Sequence, residues 1–275
     1  MANLCTPITA SATDILTTLP PLSGLIHWLD PKASVVCLLP NNADPHHFQL
    51  TPRQVESLRQ TKLLVRSSRD DGQWPRLDTS ATVLDLWPSQ HKAHNNAHEA
   101  EHEGHSHEHG NHAWLNPQAV TLILPKLSHQ LIVIYPEHQE AIQENLQHAQ
   151  VELATIWQAW QRIATSQHLR EKGSMMQHPA WESLFDALGI PIWIILESDK
   201  HGQERGPHIL ENGLHALQTH PQSLLIADMR HNNRSLEWLK RHHNSSTIIT
   251  LDALGTTDET WPQLMQRNLE IIQHP

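Results

Sequence analysis

The stretch that decides the fold is Pro136–Ala164, with the sequence PEHQEAIQENLQHAQVELATIWQAWQRIA. It contains no glycine, and no proline after its first residue. Its apolar residues recur at alternating spacings of four and three, which is the pattern of one helix face; they are Ile142, Leu146, Ala149, Leu153, Ile156, Trp160 and Ile163. A helix of this length spans about 40 Å. Since a single lobe needs only a shorter helix, we predict one helix that runs along two lobes and connects them. The alternative is a coiled-coil dimer, for which the required e and g charges are sparse.

Strand-like and helix-like segments alternate on both sides of this helix, as they do in βαβ units of a parallel sheet. Before it, strands are predicted at 14–19, 34–39, 62–66 and 82–86, and helices at 22–29, 51–60 and 116–131. After it, strands are predicted at 173–177, 191–196, 223–228 and 247–251, and helices at 180–188, 209–219, 234–242 and 260–273. The predicted fold is therefore α/β, with two parallel-sheet lobes (1–134 and 167–275) bridged by a rigid helix (135–166).

Composition excludes several classes of partner. The formal net charge is −10 and no cluster of Lys or Arg lies on a helix pattern or at either end, which disfavours nucleic acid and anionic membrane surfaces. No stretch reaches the roughly 18 apolar residues of a membrane span, so the chain is not expected to be membrane-inserted. Cys5 and Cys37 form no CxxC pair, which argues against cysteine as a metal ligand; they could form one disulfide or remain two thiols.

Four metal-type side chains lie in polar segments that follow strand-like runs. They are His46, His112, His178 and Asp252. The carboxyl ends of parallel strands are where open α/β sheets bind ligands, so these four side chains lie at positions where a ligand is expected. Three imidazoles and one carboxylate suit Zn²⁺ better than the oxygen-preferring Mg²⁺, Ca²⁺ or Mn²⁺. Taken singly, each is more often a capping or hydrogen-bonded loop residue. Their shared position favours a zinc site.

The segment from about 91 to 111 is a histidine-rich loop mixed with glutamates. It offers a second set of loosely arranged ligands, namely His91, His94, His98, His102, His105, His107 and His109. Such a segment is too polar to pack in a core and can chelate Zn²⁺, Cu²⁺ or Ni²⁺ in many ways. We interpret it as a low-affinity metal collector; the alternative is a solubilising insertion. The remaining histidines show no shared spacing and are predicted to be solvent-exposed, among them His201, His208, His215, His220, His231, His242 and His243.

Four motifs carry a family resemblance. They are Ala43-Asp-Pro-His-His-Phe-Gln-Leu-Thr-Pro52, His112-Ala-Trp-Leu-Asn-Pro117, Gln177-His-Pro-Ala-Trp181 and Leu251-Asp-Ala-Leu-Gly255. They resemble the metal-site motifs of the cluster A-I solute-binding proteins, the periplasmic zinc and manganese receptors of ABC importers. Histidine at position 178 and the histidine-rich loop make the chain similar to the zinc branch, ZnuA.

The resemblance implies a non-enzymatic, monomeric periplasmic receptor whose signal peptide has been removed. It would capture Zn²⁺ with His46 and His112 from one lobe and His178 and Asp252 from the other, and deliver the ion to a membrane permease. Two alternatives stay open. A zinc hydrolase would need a general base beside the metal, and no HExxH pairing is present. A zinc buffer or chaperone would act through the histidine-rich loop alone.

Overall fold

A computed structural model describes residues 13–45, 47–68, 79–88, 112–197, 208–243 and 247–274. Within these ranges the N-terminal lobe contains one parallel sheet in the order β2-β1-β3-β4. Its strands and helices are β1 (Ile15–Thr17), α1 (Pro20–Leu29), β2 (Val35–Cys37), α2 (Pro52–Gln60), β3 (Leu63–Arg66), β4 (Thr82–Asp85) and α3 (Pro117–Ile134). All of its strand pairs are parallel, so the carboxyl ends of the strands lie at the same edge.

Between the sheets the chain forms α4 (Gln139–Ser166) and the short α5 (Leu169–Lys172). The C-terminal lobe then repeats the first topology with a parallel sheet in the order β6-β5-β7-β8. Its elements are β5 (Ser174–Met176), α6 (Glu182–Leu188), β6 (Ile192–Ile195), α7 (His208–Thr219), β7 (Leu224–Asp228), α8 (Arg234–His242), β8 (Ile248–Leu251) and α9 (Trp261–Gln273). The prediction of two parallel-sheet lobes joined by a long helix is confirmed.

The bridging helix α4 has 28 residues and packs against α1 and α3 of the first lobe and α9 of the second. It begins at Gln139 because Pro136–His138 forms a 3₁₀ turn ahead of it. Its predicted apolar face is buried at Ile142, Ala149 and Trp160. A helix buried against both lobes along one face limits how far the lobes can move independently.

Local capping determines where the helices before the site begin. The Thr51 hydroxyl accepts a hydrogen bond from the Gln54 backbone at 3.4 Å, and the Gln54 side chain accepts one from the Thr51 backbone at 2.9 Å. The Asn116 side chain accepts a hydrogen bond from the Gln118 backbone at 3.0 Å and so caps α3. A 3₁₀ turn at Ala113–Leu115 lies just before this cap and fixes the chain that follows His112.

The two lobes contact each other through tryptophans. The Trp114 indole donates to the Ala253 carbonyl at 2.8 Å, and the Trp261 indole donates to the Trp114 carbonyl at 2.6 Å. Trp261 also stacks on Trp28, with ring centroids 5.5 Å apart. Because Trp28 and Trp114 belong to the N-terminal lobe, these contacts make one continuous core with α4. They also bring the segment after His112 against the C-terminal lobe.

No helix in the described ranges combines sufficient length with sufficient apolarity to cross a bilayer.

Candidate metal centre

His112 and His178 come together across the two lobes. Their Nε2 atoms lie 3.3 Å apart, and the rings meet edge to face with centroids 4.9 Å apart. Two nitrogens that each lie about 2.05 Å from a tetrahedral zinc ion are separated by about 3.3 Å. In the metal-free protein one ring can donate its proton to the other, whereas with metal both rings would present lone pairs. The spacing of this pair therefore fits two zinc ligands.

Both of these histidines are buried. His178 lies two residues after β5 and directly before the 3₁₀ turn Pro179–Trp181, and it is 3% exposed. His112 is 8% exposed and packs against Trp114, with ring centroids 5.0 Å apart. Such burial fixes the ring positions, so little side-chain freedom would be lost when a metal binds.

Asp252 follows β8, as predicted, but its carboxylate is engaged by arginines. Oδ1 accepts a hydrogen bond from Arg230 at 3.0 Å, and Oδ2 accepts one from Arg267 at 3.0 Å. The backbone N–H groups of Leu254 and Gly255 also donate to Oδ1, at 3.1 and 3.0 Å. Oδ1 thus has three donors and Oδ2 one. A carboxylate oxygen carries two lone pairs, so coordination to a metal is left chiefly to Oδ2.

Two further ligand-type residues, Glu197 and His231, lie beside His178 and are not among the predicted ligands. His178, Glu197 and His231 each offer a ligand atom, and these atoms lie within 4.8 Å of one another. The His231 ring stacks on His178 with centroids 4.0 Å apart, and its Nδ1 lies 3.4 Å from Glu197 Oε2. The Glu197 Oε1 accepts a 2.7 Å hydrogen bond from the Gln177 amide.

The prediction that His231 is solvent-exposed is wrong. Its side chain is 10% exposed and lies against Glu197, which is itself 4% exposed. The signal was present in the sequence, because His231 follows the apolar run that forms β7 just as His178 follows β5. Glu197 follows the run that forms β6 in the same way. For His208 the same prediction agrees with the structure, since its side chain is 89% exposed.

Opposing influences act on the ionisation of the groups around this site. Burial raises the pKa of Asp228 to about 6, although His231 and Arg230 act in the other direction. Burial would lower the pKa of His231, but Glu197 and Asp228 outweigh it and raise that pKa above its usual value. Burial also opposes ionisation of Asp252, yet the backbone donors and both arginines hold its pKa below the usual range. The carboxylate of Asp252 is thus firmly charged.

Several predicted ligands lie outside the described residues. They are His46 and the loop histidines His91, His94, His98, His102, His105, His107 and His109. His47 is the neighbour of His46 in the chain. Its side chain is 70% exposed, and its Nε2 lies 3.8 Å from Oδ2 of Asp44. Of the four predicted ligands, the structure therefore brings His112 and His178 together and places Asp252 in an arginine cluster.

Three comparisons relate this chain to known proteins. The sequence profile of the family described as ZnuA, the periplasmic zinc-uptake complex component A, matches residues 15–274. A candidate metal-binding protein from Thermotoga maritima is 24% identical over 267 residues, which cover 94% of this chain and 91% of that protein. The chain spans only about half the length of two chlamydial candidate metal-binding proteins, from Chlamydia muridarum (46%) and Chlamydia trachomatis (54%).

Solved structures share the fold over nearly the whole chain. A crystal structure of ZnuA superposes with a TM-score of 0.75 at 20% identity, over 95% of this chain and 98% of that one. A manganese-bound periplasmic metal-binding protein from Candidatus Liberibacter asiaticus gives a TM-score of 0.71 at 11% identity, over 94% and 97%. At these identities the likeness concerns the fold, and it includes proteins that hold different metals.

Proposed function

Because this chain belongs to the ZnuA family of periplasmic zinc-uptake components, we propose that it captures Zn²⁺ between its lobes and delivers it to the permease of an ABC importer. Proteins of this family are metal-binding components of transporters and are not enzymes. The chain is therefore not an enzyme, as the resemblance implied, and the zinc hydrolase alternative is rejected. The finer proposal is a monomeric periplasmic receptor, selective for zinc, with His46, His112, His178 and Asp252 as ligands.

The observation that carries this proposal is the 3.3 Å separation of the two Nε2 atoms of His112 and His178. Since one histidine belongs to each lobe, a metal bound to both would hold the lobes together. Imidazole nitrogens suit zinc, whereas manganese prefers oxygen ligands. Asp252 would contribute Oδ2, with Arg230 and Arg267 fixing its orientation. Outer partners of this kind typically change metal affinity by about 10- to 100-fold.

The test is a zinc titration by native mass spectrometry. The starting protein has Lys92 to Gly110 replaced by a short Gly-Ser linker, so that the histidine-rich loop cannot contribute. We expect one tightly held zinc ion, lost on His178→Ala. The matched control is His47→Ala, since that side chain is 70% exposed and neighbours a predicted ligand.

The outcomes separate the candidate functions. Loss of zinc on His178→Ala but not on His47→Ala supports the interlobe receptor. Absence of tight zinc from the linker variant would mean that the loop carries the binding, and the buffering alternative would replace the receptor. Competition with Mn²⁺ decides selectivity, because a receptor built on imidazoles should keep zinc against excess manganese.

A further inference from the structure

The carboxyl ends of three neighbouring strands in the C-terminal lobe bring three metal-type side chains together. In the sheet order β6-β5-β7, Glu197 follows β6, His178 follows β5 and His231 follows β7. Their ligand atoms lie within 4.8 Å of one another. His178 and Glu197 are buried, and the His231 side chain is 10% exposed. None of the three comes from the N-terminal lobe.

The carboxylate in this group is held in place by its neighbours. The Gln177 amide donates to Glu197 Oε1 at 2.7 Å, and the Glu197 backbone donates to the Gln177 carbonyl at 2.8 Å. The amide oxygen of Gln177 in turn accepts from the Leu236 backbone at 3.3 Å. These bonds place Oε2 of Glu197 3.4 Å from Nδ1 of His231. A fixed carboxylate beside two imidazoles is a pre-organised donor set.

We propose that His178, Glu197 and His231 form a second divalent-metal site that lies wholly within the C-terminal lobe and shares His178 with the interlobe site. Two histidines and one glutamate are a known donor set for zinc, with water in the fourth position. The ligand atoms now lie within 4.8 Å of one another. To bind one metal ion they must move closer, to the separation of roughly 3.3 Å between ligands in a tetrahedral site. Binding also requires the stacked His231 ring to turn, because two nearly parallel rings cannot both aim a lone pair at one ion.

Sharing His178 makes the two sites exclusive. A neutral imidazole has one acceptor nitrogen, so it binds one ion at a time. The C-terminal site needs no ligand from the other lobe, so it can hold an ion before His112 is engaged. It would then act as a staging site from which the ion passes to the interlobe position. This role rests on the proposed function, whereas the site itself does not.

The test uses the linker variant that lacks the histidine-rich loop. Removing both N-terminal ligands with His46→Ala/His112→Ala leaves only the donors of the C-terminal lobe. We expect this double variant to keep one zinc ion and to give a visible d–d absorption spectrum with Co²⁺. Adding the isosteric Glu197→Gln change should weaken zinc binding by at least about 10-fold. Adding His231→Ala should have an effect at least as large.

Separate results would overturn the inference and the proposed function. If the linker variant itself binds no zinc, both the receptor proposal and the C-terminal site fail. If it binds zinc but His46→Ala/His112→Ala does not, while thermal melts show that variant folded, Glu197 and His231 are only an ion pair and the staging site fails. Unchanged affinity after Glu197→Gln in that background also contradicts the site, because this substitution preserves shape. Two zinc ions bound at once to the linker variant would overturn the sharing of His178.

Discussion

The two lobes have the same strand order but different chemistry at the carboxyl ends of their strands. In the N-terminal sheet, Arg66 and Asp85 at the ends of β3 and β4 pair with each other, with hydrogen bonds of 2.8 and 3.0 Å. In the C-terminal sheet, the positions after the strands carry His178, Glu197 and Asp252. The N-terminal lobe supplies His112 from the segment ahead of α3 instead. A shared fold thus determines where ligands can lie, and the side chains after each strand decide which donor groups each lobe offers.

The largest expected effect is the increase in the free energy of unfolding that zinc produces. Its size in two histidine variants tests whether the two lobes contribute differently to zinc binding. Free zinc at 1,000 times the dissociation constant should add about 4.1 kcal/mol to the free energy of unfolding of the linker variant. His178→Ala should remove nearly all of this gain, because His178 serves both sites. His112→Ala should keep a measurable part, since the C-terminal lobe retains its own donors. Urea unfolding with and without zinc measures both. Equal losses of the zinc-dependent stabilisation in the two variants would mean that the two lobes contribute equally to zinc binding.

A second prediction compares one carboxylate from each lobe in the metal-free protein. Removing one partner of a buried ion pair costs about 3–5 kcal/mol. For Asp252→Ala we expect the free energy of unfolding to fall by about 3 kcal/mol, because the side chains of Asp252 and Arg230 are only 4% and 11% exposed. The value lies at the lower end of the range because the Arg267 side chain is 36% exposed and partly screened by solvent. For Asp85→Ala, whose carboxylate is 33% exposed and pairs with Arg66, we expect about 1 kcal/mol.

Urea unfolding of the two variants at neutral pH, without metal, measures this difference. Similar losses in stability would mean that the arginine cluster around Asp252 is not a stronger structural centre than the Arg66 pair. Zinc affinity is measured on the same samples. If Asp252→Ala loses stability but binds zinc as the parent does, Asp252 is an arginine partner and not the fourth ligand.

A third prediction compares a substitution at the contact between the lobes with a substitution inside one lobe. A Cβ atom at Gly24 would lie 2.7 Å from the Glu259 carbonyl oxygen and 2.9 Å from the Trp261 nitrogen, both backbone atoms of the other lobe. Gly24→Ala should therefore cost about 1–3 kcal/mol and push the lobes apart. The control is Gly189→Ala, where φ is +68° and the nearest atom lies 3.8 Å away. Its cost should be about 1–2 kcal/mol from backbone strain alone.

Zinc affinity distinguishes the two glycine variants. Gly24→Ala should weaken zinc binding, because the interlobe site needs His112 and His178 to stay close. Gly189→Ala should lower the melting temperature without changing zinc affinity. Isothermal titration with the linker variant as parent provides the measurement. Unchanged zinc affinity in Gly24→Ala would show that the metal depends on the C-terminal lobe alone.

Most of the fold follows from periodic patterns in the sequence. The spacing of apolar residues predicts α4, and the predicted helix at 234–242 coincides with α8, Arg234–His242. The chief departures are the 3₁₀ turns at Pro136–His138 and Pro179–Trp181, which delay the helices that follow. Proline permits either helix type at a first turn, so the sequence alone does not decide between them.

The site was less predictable because its partners come from distant parts of the chain. His178 is a predicted ligand because it follows a strand-like run, yet Glu197 and His231 follow such runs equally. The arginines that engage Asp252 are 22 residues before it and 15 after it, and no local pattern links them. Long-range pairing of charges depends on the packing of α9 against β8, which periodicity does not report.

The smallest expected effect concerns Cys37, at the carboxyl end of β2 in the N-terminal sheet. Desolvation raises the pKa of its thiol to about 11, although hydrogen bonds with Thr17, Leu39 and Ser23 act to lower it. An ordinary thiol has a pKa of about 8.5, so at pH 8 the thiolate fraction of Cys37 should be about two orders of magnitude lower. In a Cys5→Ser variant, alkylation by iodoacetamide at pH 8 should therefore be about 100-fold slower in the folded than in the urea-unfolded protein. Adding zinc should leave the folded rate unchanged. A folded-state rate close to the unfolded rate would show that the N-terminal sheet does not protect the Cys37 thiol by burial.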